Sequence, residues 1–417
     1  MADDRGTSRR RFLTLAAGTA IASGVAPVAS ARTAGMAGAP TSPTSPTERG
    51  GPMAPDPYAR WENGPCPRPD PAYFPIGVWL QDPALAPQYQ QAGINLYVGL
   101  WQGPTEEQLT TLAGYGMSVL ADQNDVGLGR EAAGPLVGWT QMDEPDNAQP
   151  LPGGGYGPPV DPAVIADRYH RMVSADRTRP VLLNLGRGVA DDDWIGRGPD
   201  ASLDDYPKYV GGADIVSFDV YPVADGLPLW LVAKGLDRLR AWCGRDKIIW
   251  NFVETTNISG NNQVTPHQFR AEVWMSLIHG SRGILYFVHR FAPEFDAARL
   301  LHDPQMLAAV TATNALIHRL APVLNRPSLP GAVEVTGSDA AVPIDTMVKR
   351  LTGVTYVFAV AMRDASTVGH FVLGGAAAGA SRVEVVAEDR TVAVSRGRFS
   401  DAFDGYGVHI YRIVHPR

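Results

Sequence analysis

The sequence predicts an α/β fold: a (β/α)8 TIM barrel followed by a small C-terminal antiparallel β-sandwich domain. Past Tyr73, apolar runs with the length of strands alternate with amphipathic stretches that have the period of helices. Eight such pairs occupy about 250 residues, which is the usual size of a (β/α)8 barrel. From Gly331 to Ile413 the chain becomes Val-rich, with alternating runs separated by turn residues, which predicts the second domain.

The N-terminus has the pattern of a twin-arginine export signal. Ser8–Leu13 contains three consecutive arginines before Phe-Leu, an Ala-rich apolar stretch follows, and Ala29–Ala31 is a small-residue cleavage site. We therefore expect a signal peptide over residues 1–31 and export from the cytoplasm. The alternative is a membrane anchor, but Gly18, Gly24 and Pro27 interrupt a stretch at the lower length limit for spanning.

Residues 32–72 follow as a leader and entry segment. Up to Pro57 this stretch is rich in Ala, Gly, Pro, Ser and Thr without periodicity, which is typical of a disordered segment. We assign residues 73–326 to the barrel and residues 327–417 to the C-terminal β domain.

Eight barrel strands are predicted from near-continuous apolar runs, the pattern of parallel strands buried on both faces. They are Ile76–Gln81, Asn95–Trp101, Ser118–Asn124, Leu136–Glu144, Pro180–Gly186, Ile215–Pro222, Lys247–Thr256 and Gly283–Phe291. Helices are predicted over Pro162–Ala175, Leu229–Trp242, the stretch from Thr265 to His279, and His302–Leu324. A doubly wound open sheet is the competing fold, but no GxGxxG motif follows the first strand.

Composition excludes several function classes. The 417 residues carry a formal net charge of −7 with no basic stripe, so nucleic acid is not an expected partner. The nine histidines form no HExxH pair, no GxSxG occurs at a strand-to-helix turn, and we predict no metal and no cofactor. The two cysteines, Cys66 and Cys243, form either one disulfide or two buried thiols.

Two predicted strands end in a glutamate. The fourth ends in Asp143, Glu144 and Pro145, and the seventh ends at Glu254. Because the C-terminal strand ends of a closed barrel face one pocket, these carboxyl groups are predicted to meet across its mouth. A facing pair of this kind can cleave a glycosidic bond: one group protonates the leaving oxygen while the other attacks the anomeric carbon or activates water. Glu144 alone could instead cap the helix that follows it.

With these residues the chain resembles the retaining glycoside hydrolases of clan A, and the Asp-Glu-Pro triplet is similar to their Asn-Glu-Pro. The resemblance implies that Glu144 is the acid/base and Glu254 the nucleophile, and that Tyr221 hydrogen-bonds the nucleophile. It also implies a carbohydrate substrate. Asp143 departs from the clan, since an ionised Asp accepts hydrogen bonds and cannot donate them. The resemblance does not assign a family.

Other polar and aromatic residues near strand ends are candidates for binding sugar. Aromatic faces stack on the C–H surfaces of a pyranose, which favours the strand-end tryptophans over Trp139 and Trp250, which we assign to packing. The candidates are Trp79, Trp101, Gln123, Asn124, Asp143, Asn184, Asp219, Tyr221 and His289.

Two functions fit the sequence. The first is a secreted glycoside hydrolase that cleaves a poly- or oligosaccharide with two glutamates and, after signal removal, is not inserted in a membrane. The second is a non-catalytic carbohydrate-binding barrel. The sequence gives neither the sugar nor the oligomeric state.

Overall fold

The computed structural model describes residues 56–66, 70–129, 134–244, 246–260 and 262–415. The predicted signal peptide and most of the predicted leader lie outside these residues. The barrel and the C-terminal β domain belong to one compact unit.

A single parallel sheet forms the barrel. Its strands are β1 (Ile76–Trp79), β2 (Leu96–Val98), β3 (Ser118–Asp122), β4 (Leu136–Thr140), β5 (Val181–Leu185), β6 (Ile215–Phe218), β7 (Ile248–Ile249), β8 (Asn251–Glu254) and β9 (Ile284–Phe287). The order is β7-β6-β5-β4-β3-β2-β1-β9-β8. Only Trp250 separates β7 from β8, so these are two halves of the seventh barrel strand, and the sheet closes on itself. The predicted fold class is confirmed.

The helices lie between the strands, as predicted. They are α1 (Ala86–Gln91), α2 (Glu106–Gly114), α3 (Asp125–Leu128), α4 (Pro162–Ala175), α5 (Tyr206–Tyr209), α6 (Pro222–Asp225), α7 (Leu231–Cys243), α8 (Pro266–Ile278) and α9 (Pro304–Leu324). Local sequence fixes the start of several helices. Thr105 and Thr265 form capping boxes at the starts of α2 and α8. Asp161 and Asp303 each accept a hydrogen bond from an amide of the first turn of α4 and α9, and a proline follows each of them. Short 3₁₀ turns complete the loops.

Alternation along the strands separates the barrel interior from its outer layer. Inward residues such as Leu120, Leu182 and Phe252 fill the interior, and Tyr58 of the entry segment joins them. Outward residues pack under the helices in a larger cluster. Trp139 and Trp250 are both fully buried, so their assignment to packing is confirmed.

The C-terminal domain consists of two antiparallel sheets. Their strands are β10 (Val333–Gly337), β11 (Ile344–Leu351), β12 (Val354–Ala361), β13 (Thr367–Leu373), β14 (Arg382–Val385), β15 (Arg390–Ala393), β16 (Arg398–Phe403) and β17 (Val408–Val414), in the orders β10-β13-β16 and β11-β12-β17-β14-β15. The second sheet packs on α8: Trp274 stacks on Phe358 with 5.7 Å between ring centroids, and Arg270 donates to the Val408 carbonyl at 3.0 Å. The domain thus covers an apolar face of the barrel.

The two cysteines are separate buried thiols with no disulfide between them. Burial raises the pKa of both thiols to about 11, so they remain protonated at neutral pH. Of the two alternatives left by the sequence, the buried thiols are correct.

Among the described helices, α9 is long and apolar enough to cross a membrane, and half of it is buried inside the protein. Its buried Asn314 accepts from Tyr286 of β9 and donates to the Ala92 carbonyl. We therefore interpret α9 as a helix of the barrel wall.

We predict that Gly283→Ala destabilises the fold. A Cβ atom there would lie 2.8 Å from two atoms of the Trp250 indole ring, which is rigid and fully buried. Overpacking of this kind typically costs about 1–3 kcal/mol of the free energy of unfolding. Urea denaturation measures it, with Gly114→Ala as the control, since nothing lies within 4 Å of a Cβ there. Equal stability of the two variants would contradict the prediction.

Candidate active site

The predicted acidic residues lie at the C-terminal edge of the barrel, where main-chain ladder bonds continue beyond the strands. The Glu144 amide donates to the Asn184 carbonyl at 3.0 Å, and the Asp219 amide donates to the Leu185 carbonyl at 3.0 Å. Glu254 is the last residue of β8 and pairs in register with Phe287 of β9. These residues therefore belong to one rim, the mouth of the barrel.

Glu254 is fully buried and holds the loop that follows β6. Its Oε1 accepts from the Val223 amide at 2.6 Å and its Oε2 accepts from the Ala224 amide at 2.9 Å. Burial raises the pKa of Glu254 to about 8, although the two amides favour the ionised form and lower it. The carboxyl group thus fixes the start of α6 against the end of β8.

A second buried carboxyl group, Glu272 of α8, lies behind β8 and was not predicted. It is 0% exposed, and neither of its carboxyl oxygens has a hydrogen-bond partner. Burial raises the pKa of Glu272 well above its usual value, and the charge of Glu254 raises it further. Burial thus favours the protonated form of Glu272. No strand-end signal could have identified it, because it lies on a helix.

Glu144 is half-buried and has a φ of 46°, a left-handed conformation that is unusual for a residue other than glycine. Strained backbone of this kind persists where the surrounding structure determines it, often at functional sites. Close by, the buried Asp146 accepts from the Gly186 amide at 2.8 Å and from the Tyr206 hydroxyl at 2.9 Å. Burial raises the pKa of Asp146 to about 7, and Glu144 contributes to the rise. Asp146 was missed, although it directly follows the acidic triplet.

Three polar side chains join the ends of β4, β5 and β6. Ser217 donates to Asn184 at 2.8 Å, and Asn184 donates to Asp143 at 3.0 Å. Asp143 thus serves as an acceptor, as its chemistry requires. The chain of hydrogen bonds fixes the orientation of both the amide and the carboxylate in the mouth.

Tyr221 and Asp219 lie on one face of the segment that continues β6. The Tyr221 hydroxyl donates to Asp219 at 3.1 Å, and its ring packs 5.1 Å from the ring of Phe287. Both oxygens of Glu254 accept main-chain amides, and the hydrogen bond from Tyr221 to Glu254 stays a prediction. Asp219 is 2% exposed.

His289 also reaches the mouth, in an aromatic environment. Its Nε2 lies 3.2 Å from the side-chain nitrogen of Gln81, whose oxygen accepts from Tyr89, and its ring stacks near Phe291. Gln81 was missed, although it ends the first predicted strand.

Trp79, the last residue of β1, is half-buried and meets Phe252 edge-on at 5.6 Å. Trp101 is half-buried in the loop after β2, and its carbonyl accepts from Gln108.

The side chains of Gln123 and Asn124 bond to main-chain groups of neighbouring segments. The Gln123 amide donates to the Met172 carbonyl on α4, while the preceding Asp122 faces inward and accepts from Thr140. Asn124 caps α3 through Gly127 and donates to the Pro104 carbonyl. Alternation turns the Gln123 side chain outward and the helix cap uses that of Asn124, and their role in sugar binding stays a prediction.

No family model and no curated protein matches this chain. Several solved structures are similar. An alpha-amylase from Geobacillus thermoleovorans complexed with acarbose is 12% identical with a TM-score of 0.51, over 84% of this chain and 100% of that chain. AmyP in complex with maltose is 8% identical with a TM-score of 0.50, over 82% and 97%. Gan42B, a GH42 beta-galactosidase from G. stearothermophilus, is 8% identical with a TM-score of 0.50, over 82% and 98%. At these identities the likeness shows the shared fold.

We predict that the free energy of unfolding falls as pH rises from about 5 to about 6.5. In that range Glu272 and Glu254 keep their protons in the native state and lose them in the unfolded chain, because their native pKa values are raised. Each retained proton contributes a slope of up to about 1.4 kcal/mol per pH unit. Glu272→Gln removes one such group, so urea denaturation at several pH values is expected to give a shallower fall.

Glu107→Gln, on the exposed face of α2, is the matched control and should keep the wild-type slope. An unchanged slope in Glu272→Gln would show that Glu272 is already ionised in the native protein.

Proposed function

We propose that this chain is a secreted glycoside hydrolase, exported by the twin-arginine route, that cleaves a poly- or oligosaccharide with two carboxyl groups. The observation that carries the proposal is the position of Glu144 and Glu254 at the C-terminal ends of β4 and β8, on one rim of a closed barrel. Recovery from culture medium of a protein that begins at Arg32 would test the export.

Glu144 is proposed as the acid/base. It lies on the more accessible part of the rim, where it can protonate a glycosidic oxygen as the bond to the anomeric carbon breaks. In the second step it removes the proton from the water that releases the sugar.

Glu254 is proposed as the nucleophile, whose carboxylate attacks the anomeric carbon and forms a covalent glycosyl-enzyme. The Val223 and Ala224 amides support this role, because they stabilise the ionised form inside a buried site. Since burial raises its pKa to about 8, the active fraction of enzyme would increase with pH up to that value.

The other mouth residues would bind the sugar. Trp79 offers an apolar face, and Asp143, Asn184 and Asp219 offer oriented polar groups beside it. The names of similar proteins, an amylase complexed with acarbose and a beta-galactosidase, support a carbohydrate substrate of unspecified linkage.

A second candidate is a carbohydrate-binding barrel without turnover. The complete burial of Glu254, with both oxygens accepting main-chain amides, favours it, since a nucleophile needs an oxygen that reaches the substrate. Under this alternative Glu254 only fixes the loop after β6.

Glu144→Gln and Glu254→Gln are each expected to abolish sugar release from the glycans that the wild type cleaves, by at least about a thousandfold in kcat. A panel of aryl glycosides and polysaccharides is the assay, with Glu107→Gln as the control. Each variant's affinity for the same glycan is measured in parallel.

Three outcomes are informative. Loss of sugar release in both variants, with glycan binding retained, supports the hydrolase. Loss of sugar release only in Glu144→Gln would assign the nucleophile to a mouth carboxylate other than Glu254. Binding without sugar release from wild type on every glycan establishes the binding barrel instead.

We also predict that Asp143 and Asn184 act as one unit in the mouth. Because Asn184 donates directly to Asp143, Asp143→Ala and Asn184→Ala should each lower kcat/KM, and the double variant should lose less than the two losses combined. A coupling of about 0.5–3 kcal/mol is expected from a double-mutant cycle. Additive losses would show that the two side chains contact the substrate independently.

A further inference from the structure

At the N-terminal ends of the strands, opposite the mouth, lies an open cavity of about 560 Å³. Ile248 at the start of β7 and Ser281 before β9 line its barrel side. Met347 and Lys349 of β11 line the other side, so the cavity lies between the barrel and the C-terminal domain. It has no part in the proposed hydrolysis.

The lining of this cavity is strongly positive. One carboxylate, the exposed Asp246, accompanies five cations. The cations are Arg60, Arg240, Lys247, Arg282 and Lys349.

Main-chain carbonyls, rather than carboxylates, hold these cations. Lys349 is 4% exposed and donates to the carbonyls of Leu324 at 2.9 Å and Arg326 at 2.6 Å. Arg282 donates to the same Leu324 carbonyl at 3.4 Å, and Arg240 donates to the Gly244 carbonyl at 3.1 Å.

Arg60 lies 3.6 Å from Asp214, a carboxylate that also accepts from Tyr169 and the Val181 amide. Among the residues that the structure describes, the other four cations form no ion pair within 4.0 Å. At longer range, the charge of Asp56 acts on Arg282, and the charges of Asp214 and Asp246 act on Lys247.

The carbonyls belong to the C-terminal ends of α7 and α9, whose dipoles favour positive charge. Each helix end supplies only about half a negative charge, so five cations exceed what capping needs. The excess affects the groups themselves: burial and the nearby Arg282 lower the pKa of Lys349 to about 7. Burial also lowers the pKa of Arg240 and Arg282.

We propose that this cavity is a binding site for a small multivalent oxyanion of the phosphate type, either the free ion or a phosphate monoester. Arginine forks and a lysine ammonium around one concave space are the groups that recognise such anions. An anion would also relieve the repulsion between the four cations that form no ion pair among the described residues.

The test measures binding of inorganic phosphate and of glycerol phosphate to the full-length chain, by calorimetry and by the shift in Tm. Sodium chloride at matched ionic strength is the reference. Arg282→Met and Arg240→Met each remove one guanidinium from the cavity. Arg350→Met is the matched control, because Arg350 is the exposed neighbour of Lys349 on β11.

We expect both oxyanions to raise the Tm of wild type and of Arg350→Met, and the Kd to weaken about tenfold or more in the two cavity variants. Tighter binding of glycerol phosphate would identify an organic phosphate as the ligand, whereas equal or weaker binding would identify the free ion. A wild-type Tm that does not exceed the chloride reference overturns the proposal. So does an equal loss of binding in Arg350→Met, or an unchanged Kd in both cavity variants.

Discussion

The rim of the barrel depends on the contact between the buried carboxyl group of Glu254 and the amides of Val223 and Ala224. It ties the end of the seventh strand to the loop after the sixth, and that loop directly follows Asp219 and Tyr221. A buried carboxylate without donors would be costly, so the loop and the glutamate stabilise each other. The protonation state of Glu254 therefore affects the shape of the mouth.

The same alternation of side chains builds the core and the site. On β3 the inward residue Leu120 belongs to the apolar interior, and the next inward residue, Asp122, is polar and exposed. On β5 the same step leads from Leu182 to Asn184, which is hydrogen-bonded in the mouth. Two residues along a strand thus separate an apolar core position from a polar position at the mouth, because the C-terminal end of each strand lies at the edge of the barrel interior. The barrel interior stays closed while its rim becomes polar.

The regular elements were predictable because their signals are local. Helix α4 begins and ends as predicted, since Asp161 and a proline fix its start. The partners of individual side chains were not predictable: the Tyr221 hydroxyl donates to Asp219, two residues earlier, and Gln123 donates to the Met172 carbonyl on α4. Glu272 lies on a helix rather than at a strand end, and its electrostatic interaction with Glu254 depends on which strand that helix covers. Hydrophobic periods of two and 3.6 residues predict which face of a strand or helix a side chain is on, but not which residue it contacts.

The charge distribution follows from the direction of the helices. Each helix after a strand begins near the mouth and ends near the opposite face, so amide donors gather at one end of the barrel and carbonyls at the other. Carboxyl groups collect at the first end, where Glu254 accepts from the start of α6. Cations collect at the second, where Lys349 and Arg282 donate to the last carbonyl of α9. The acidic mouth is consistent with acid/base chemistry on a sugar, while the excess of cations at the opposite face attracts an anion, and both arise from one orientation of the backbone.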